Sequence, residues 1–324
     1  MRNIVLGKSG LDVSRVAFGT WQLGGDWGSF DEDAAIGAIR HARELGVNIF
    51  DTAQAYGFGR SEEVLGKALR SELDRDRDSL VIATKGGINP RSPRPRDARR
   101  AWLRSGVEAS LRALGIDHID LYQVHWPDSD TPAEETATAL QELVDEGKVR
   151  HVGVSNYAAE QLAAFDTARP VETLQPPYHL FRRDIEDSEL PYTRAHNIGV
   201  LVYSPLGSGL LTGQLTPDST FDSADWRSRS TAFRGETLRR NLAVVDRLAE
   251  LAGSRGLSIG QLATAWVLAQ PGVHVAIVGA RSARNIENSL AAADIDLTEA
   301  DLTEIEKIAT DGVSITGASP EGVA

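Results

Sequence analysis

Eight short apolar runs alternating with segments of helical apolar spacing constrain the fold of this chain more than any other feature. The runs lie at 16–20, 47–51, 80–84, 119–124, 149–154, 171–175, 199–203 and 273–278. Apolar residues recurring every three or four positions mark one face of a helix. That spacing predicts helices over Asp31 to Leu45, near 61–70, 98–114, 132–146, 158–165 and 184–196, from about Leu238, and over Ser258 to Ala269 with Ser258 as cap. Gly46, Gly115, Gly147 and Gly199 fall at or near helix-to-strand junctions, where a left-handed closing residue is commonly needed. Eight such units favour an α/β fold of the closed (β/α)8 TIM barrel type over an open doubly wound sheet. Ile4 to Leu6 and Val13 to Val16, flanking Gly7-Lys-Ser-Gly10, predict an N-terminal β-hairpin. The same Gly7-Lys-Ser lacks the earlier glycine of a phosphate loop. Gly207 to Gly235 predicts a long functional loop after strand seven. No composition break divides residues 1–324, which are expected to form a single domain.

Composition removes several function classes. Lysine and arginine number 34 against 46 aspartates and glutamates, a net charge of −12, which argues against nucleic acid as a partner. There is no cysteine, so disulfides, thiolate nucleophiles and Cys-ligated metals are excluded together. The first residues contain no long apolar h-region, and no window has the length and hydropathy of a membrane span. A cytoplasmic protein without a membrane partner is expected.

The chemistry gathers where apolar runs end. Val47-Asn-Ile-Phe-Asp51 turns polar at Asp51, and Tyr56 follows on the next loop. Leu80-Val-Ile-Ala-Thr-Lys85 ends in an ammonium, and Ile119-Asp-Leu-Tyr-Gln-Val-His125 in an imidazole. A closed parallel sheet collects its strand tips on one face, so these four groups can meet. A phenol becomes a useful proton donor at neutral pH only beside a positive charge. In that arrangement Lys85 would supply that charge, Asp51 would hold it and His125 would orient or polarise a carbonyl oxygen; the plainer roles are loop packing for Tyr56, a snorkelling Lys85, a capping Asp51 and a satisfied, partly buried His125. Alternative chemistries lack their motifs. Ser155 in Gly153-Val-Ser-Asn-Tyr157 misses the second glycine of a nucleophile elbow. No His-Glu-x-x-His or compact histidine cluster suggests a metal. A glycosidase would need Asp51 paired with Asp128 or Asp130. The doubly wound dinucleotide fingerprint is absent. Arg91 to Arg100 reads either as a solvated loop leading into a helix, with Asp97 as cap, or as a rim that attracts anionic substrates.

At these residues the chain resembles the aldo-keto reductase family, over nearly its whole length. The matching stretches, besides the hairpin, are Phe50-Asp-Thr-Ala-Gln-Ala-Tyr-Gly57, Glu62-Glu-Val-Leu-Gly66, Ala83-Thr-Lys85, Asp120-Leu-Tyr-Gln-Val-His125, Gly147-Lys-Val-Arg-His-Val-Gly-Val-Ser-Asn156, Tyr203-Ser-Pro-Leu-Gly-Ser-Gly-Leu-Leu211 and Ile277-Val-Gly-Ala-Arg281. The resemblance implies an oxidoreductase that reduces aldehyde or ketone carbonyls, with Tyr56 as general acid, Lys85 and Asp51 tuning it and His125 positioning the carbonyl. It implies an extended nicotinamide cofactor, NADPH with NADH possible. Ser155, Asn156 and Gln175 would hold the carboxamide and Tyr203 would stack on the ring. Ser204, Leu206, Gly207 and Gly209 would follow the pyrophosphate. Gly279, Arg281, Arg284, Glu287 and Asn288 would meet the adenosine end, an arginine suiting a ribose phosphate. Where the resemblance leads one to expect a basic residue before Gly279, this chain has Val278. Histidine at 125 matches the carbonyl-reducing pattern, whereas double-bond reduction of steroids would call for glutamate there. Trp21, Trp27, Phe58, Trp126 and Trp226 are candidates for an aromatic pocket wall or for loop anchors. The resemblance leaves open a second reading, a cofactor-binding regulatory subunit with slow turnover that reports redox state to a protein partner. The expected assembly is a monomer.

Overall fold

Parallel pairing closes the apolar runs into a barrel in the computed structural model of the chain, which describes residues 1–25, 27–90, 92, 95–223, 225–280 and 282–317. The N-terminal part contains β1 (Asn3–Val5), β2 (Asp12–Ser14), β3 (Val16–Gly19), α1 (Glu32–Glu44), β4 (Ile49–Asp51), α2 (Arg60–Ala68) and α3 (Arg70–Arg75). Then come β5 (Val81–Gly86), α4 (Arg100–Leu114), β6 (Ile119–Val124), α5 (Ala133–Asp145), β7 (Val149–Ser155), α6 (Ala159–Ala168), β8 (Thr173–Gln175) and α7 (Glu189–Ala195). The chain continues through β9 (Gly199–Tyr203), α8 (Gly235–Ser254), α9 (Ile259–Ala269), β10 (Val275–Gly279), α10 (Ala283–Leu290) and α11 (Glu299–Ala309). Strands β3 to β10 follow one another around the barrel, and β10 returns to pair with β3.

Alternation along the strands divides the core in two. Ala17, Ile49, Val81, Ala83, Leu121 and Leu201 pack inside the barrel with Val275 and Ile277. Phe18, Phe50 and Ile82 pack outward under the helices. The hairpin β1–β2 closes the N-terminal end of the barrel, with Leu6 and Val13 fully buried among the interior residues. Each such side chain contributes about 1.5–3 kcal/mol on burial. Gly7 is required at this plug. Its φ is +52°, and a Cβ there would lie 2.3 Å from the backbone nitrogen of Gly199. With this end plugged, the opposite end, at the C-terminal strand tips, is the one that presents polar groups to a ligand.

Several local details depart from the expectations. Asp97 does not cap α4; Arg99 occupies the cap position, and Asp97 instead accepts from the Arg99 amide (3.3 Å) and guanidinium (2.6 Å and 2.8 Å). A cationic neighbour in reach outcompetes a neutral amide for a carboxylate. The segment expected as one helix at 184–196 is a single 3-10 turn followed by α7, because Pro191 tolerates a helix only within its first turn. The short α3 was not indicated by spacing, and α8 starts at Gly235, ahead of Leu238. The cap at Ser258 is present: its hydroxyl accepts from the Gln261 amide (3.2 Å), and the Gln261 side chain accepts from the Ser258 amide (2.9 Å). Among the described residues, no helix is long and apolar enough to cross a membrane.

Candidate active site

The same two-residue alternation that packs Ile49, Ala83 and Leu121 inside the barrel carries Asp51, Lys85 and Gln123 to its upper layer. Lys85 Nζ donates to Asp51 Oδ1 (2.6 Å), to the Thr52 carbonyl (2.9 Å) and to Tyr56 Oη (3.4 Å). The ammonium also lies 5.1 Å from the centre of the Tyr56 ring. Gln175 Nε2 donates to the other Asp51 oxygen (2.8 Å) and approaches Gln123 Oε1 (3.5 Å). His125 stands edge-on to Tyr56 with ring centres 5.7 Å apart, and its amide donates to the Gly86 carbonyl. None of Asp51, Tyr56, Lys85 and His125 is more than 4% exposed. A buried ammonium is tolerable only when paired and hydrogen-bonded, and Asp51 with the Thr52 carbonyl meets that need. Such a charge beside a phenol oxygen stabilises negative charge developing there.

Above this layer runs a cleft of about 860 Å³. It begins at Asp51, Tyr56 and Gln175, passes Tyr203 and Ser204, and reaches Arg284 and Asn288. Leu206, Gly209 and Gly279 line it as well. Ser155 Oγ donates to the Gln175 carbonyl (2.8 Å), while Asn156 Nδ2 donates to the His125 carbonyl (3.0 Å) and Ser155 Oγ (3.0 Å). Tyr203 Oη donates to Asn156 Oδ1 (2.8 Å). Asn156 after β7 and Ser204 after β9 have positive φ, and Gly207, Ser208 and Gly209 form a consecutive stretch of positive φ beside the cleft. Glu287 stands apart from the cleft lining, with its carboxylate 3.9 Å from His41 Nε2 on α1, and Arg281 lies outside the described residues. Among the described residues, no cluster of three or more His, Asp or Glu is placed to hold a metal.

Several contributors carried no clear sequence signal. Gln123 could have been found by continuing the alternation Leu121, Gln123, His125. Arg227 could not: it sits in the long loop after β9, bonded to Asp225 (2.6 Å) and donating to the Ser208 carbonyl (3.2 Å). Its guanidinium lies 4.9 Å from the Trp27 ring centre. Trp21, Trp27 and Trp226 pack on one another with ring centres 5.0–6.4 Å apart, joining the loop after β3 to the loop after β9. Trp21 lies 6.4 Å from Tyr56. Phe58 is instead exposed with φ of +48°, and Trp126 carries the Arg96 guanidinium on its ring.

Below Gly207 lies His179, buried, with Nδ1 accepting from the Phe181 amide (3.2 Å). Burial, assisted by the charge of Arg182, pushes its imidazole down to about 3. The unfolded chain takes up this proton near pH 6.5, which the folded chain refuses until near pH 3. The contribution to stability is therefore complete above pH 6.5 and lost as pH falls toward 3. Thermal melts at pH 7 and pH 5 should show a larger drop in midpoint for the wild type than for His179→Gln; equal drops would contradict this assignment.

The model of the "Aldo/keto reductase family" matches residues 15–310. Aldo-keto reductase YhdN of Bacillus subtilis (strain 168) is 43% identical over 285 residues, covering 87% of this chain and 86% of that protein. NADH-specific methylglyoxal reductase of Escherichia coli (strain K12) is 34% identical over 326 residues, covering 95% and 98%. Among solved structures, the glycerol dehydrogenase AKR11B4 from Gluconobacter oxydans matches with a TM-score of 0.85 and 39% identity, over 96% of this chain and 95% of that one.

Proposed function

The chain belongs to the aldo-keto reductase family of oxidoreductases acting on carbonyl substrates, and from that premise we propose that it reduces aldehydes or ketones to alcohols with NADPH, Tyr56 acting as general acid. The observation that carries the reading is the contact of Lys85 Nζ with both Asp51 (2.6 Å) and Tyr56 Oη (3.4 Å) in a buried site. When bound, the reduced nicotinamide supplies a hydride to the carbonyl carbon. Tyr56 Oη donates its proton to the carbonyl oxygen as negative charge grows there, and Lys85 stabilises the phenolate left behind. Asp51, held on its other oxygen by Gln175 (2.8 Å), keeps the ammonium aimed at the phenol. The His125 ring, fixed edge-on to Tyr56, orients the carbonyl oxygen toward the proton. Alcohol oxidation runs the same proton path backward.

The fit of a dinucleotide is supported by the length and polarity of the cleft. Ligand pockets commonly span about 300–1,000 Å³, and this one is at the larger end. Ser155, Asn156 and Gln175 offer amide and hydroxyl groups for a carboxamide, and Tyr203 offers an aromatic face. The positive-φ stretch Gly207–Gly209, with Ser204 ahead of it, suits a pyrophosphate, and Arg284 at the far end suits a ribose phosphate. A relative named for NADH specificity makes the cofactor preference the part to test first. In a tryptophan fluorescence titration NADPH should bind about tenfold or more tightly than NADH, the scale of one charge-assisted hydrogen bond. Arg284→Ala should abolish most of that difference, and added aldehyde should consume the bound NADPH. Equal binding of both nucleotides by the wild type would overturn the cofactor assignment, and binding without turnover on aldehydes and ketones would overturn the catalytic one.

A further inference from the structure

The loop from β5 to α4 contains a cation that the proposed reaction leaves unused. Arg96 bridges to Ile88, while the neighbouring Asp97 amide donates to the Gly87 carbonyl (2.8 Å) and the Asn89 amide to the Pro95 carbonyl (2.6 Å). These contacts pin Arg96 to the catalytic end of β5. Its guanidinium carbon lies 4.8 Å from the centre of the Trp126 ring, a buried indole that follows His125 directly. Consecutive Cα atoms are about 3.8 Å apart, so the indole and the imidazole leave adjacent points of the rim.

The nearby carboxylates are committed elsewhere. Asp97 accepts from Arg99 (2.6 Å and 2.8 Å) and from Asn89 Nδ2 (3.3 Å). Asp128 accepts from the Ala98 amide (3.0 Å), the Asp130 amide (3.0 Å) and Thr131 Oγ1 (2.6 Å). Among the described residues, the Arg96 side chain has no carboxylate within 4 Å and donates no hydrogen bond. In a chain of net charge −12, Arg96 is half-buried with its fork unspent. A guanidinium held over an indole by the ring's π-face keeps its N–H donors for a bidentate acceptor.

We propose that Arg96, held on Trp126 beside His125, binds an anionic group, carboxylate or phosphate, of the carbonyl substrate. The proposal deepens the reductase reading and rests on it. A substrate whose carbonyl is at Tyr56 and His125 extends its charged end along the rim to the guanidinium. Of the two readings of the arginine-rich stretch, it selects the one that attracts anionic substrates.

The test is NADPH-dependent kinetics on matched pairs: 4-oxobutanoate against butanal, and glyceraldehyde 3-phosphate against glyceraldehyde. Arg96→Leu, which keeps an apolar group over Trp126, should raise KM for at least one anionic aldehyde about tenfold or more. Its kcat/KM on the neutral partner should stay within twofold of wild type, which also reports correct folding. Arg96→Lys should recover part of the loss, since it keeps the charge without the fork. The carboxylate and phosphate pairs show which anion the fork prefers. An equal change on charged and neutral substrates, or no change on either, overturns the proposal. If no aldehyde oxidises NADPH or NADH, the reductase reading has failed, and calorimetric titration with 4-oxobutanoate and glyceraldehyde 3-phosphate decides the subsite by itself. Weaker binding of either by Arg96→Leu than by wild type supports it, and equal or undetectable binding overturns it.

Discussion

Tyr56→Phe should lower kcat by about a hundred- to ten-thousand-fold, the range assigned to a positioned general acid, while NADPH binding stays within about twofold. The substitution removes only the hydroxyl. The ring keeps its contacts with Trp21 (6.4 Å) and His125 (5.7 Å), and Lys85 keeps Asp51 and the Thr52 carbonyl as partners. The loss should therefore appear in kcat and kcat/KM together, as expected when an interaction made in the transition state is removed. Single-turnover kinetics with saturating NADPH read the step directly. Turnover at the wild-type rate would take the acid role away from Tyr56.

Lys85→Met should produce the second large effect, and on two quantities at once. The ammonium is fully buried against Asp51 at 2.6 Å, so its loss leaves a buried carboxylate without its cation. Breaking one side of such a pair costs about 3–5 kcal/mol of stability. The same change removes the charge that stabilises the phenolate of Tyr56, and a loss of about a hundred- to a thousand-fold in kcat is expected. The double variant Asp51→Asn/Lys85→Met separates the two. With both charges gone, most of the stability in urea unfolding should return, because a neutral pair has no desolvation penalty to offset, while kcat stays low. A single variant as stable as wild type would show that the pair is not required by the fold. Recovery of kcat in the double variant would remove Lys85 from the chemistry.

How far the site was legible depended on the range of the interaction that builds it. Asp51, Lys85 and His125 were readable because an apolar run that turns polar at its last residue is a local signal, and a parallel barrel gathers such ends. The loops were less readable. Asp97 looked like a cap by composition, yet the guanidinium two residues on takes the carboxylate. Nothing local in the sequence showed that Glu287, assigned to the adenosine end by resemblance, lies 3.9 Å from His41 on α1. The five aromatic candidates looked alike in sequence, but Trp21, Trp27 and Trp226 pack together, Phe58 is exposed, and Trp126 bears a cation.

By itself the sequence determined the barrel, its N-terminal hairpin and the four polar strand-end and loop residues at its mouth. Those features follow from periodicities of two and 3.6 residues, which act between near neighbours in the chain and leave a pattern there. Tertiary structure alone decided that the loop after β9 folds over Trp27 through Arg227, and that Arg96 rests on Trp126 with the adjacent acids already engaged. These contacts join residues far apart in sequence, and the choice among competing partners is settled by which groups packing brings within reach.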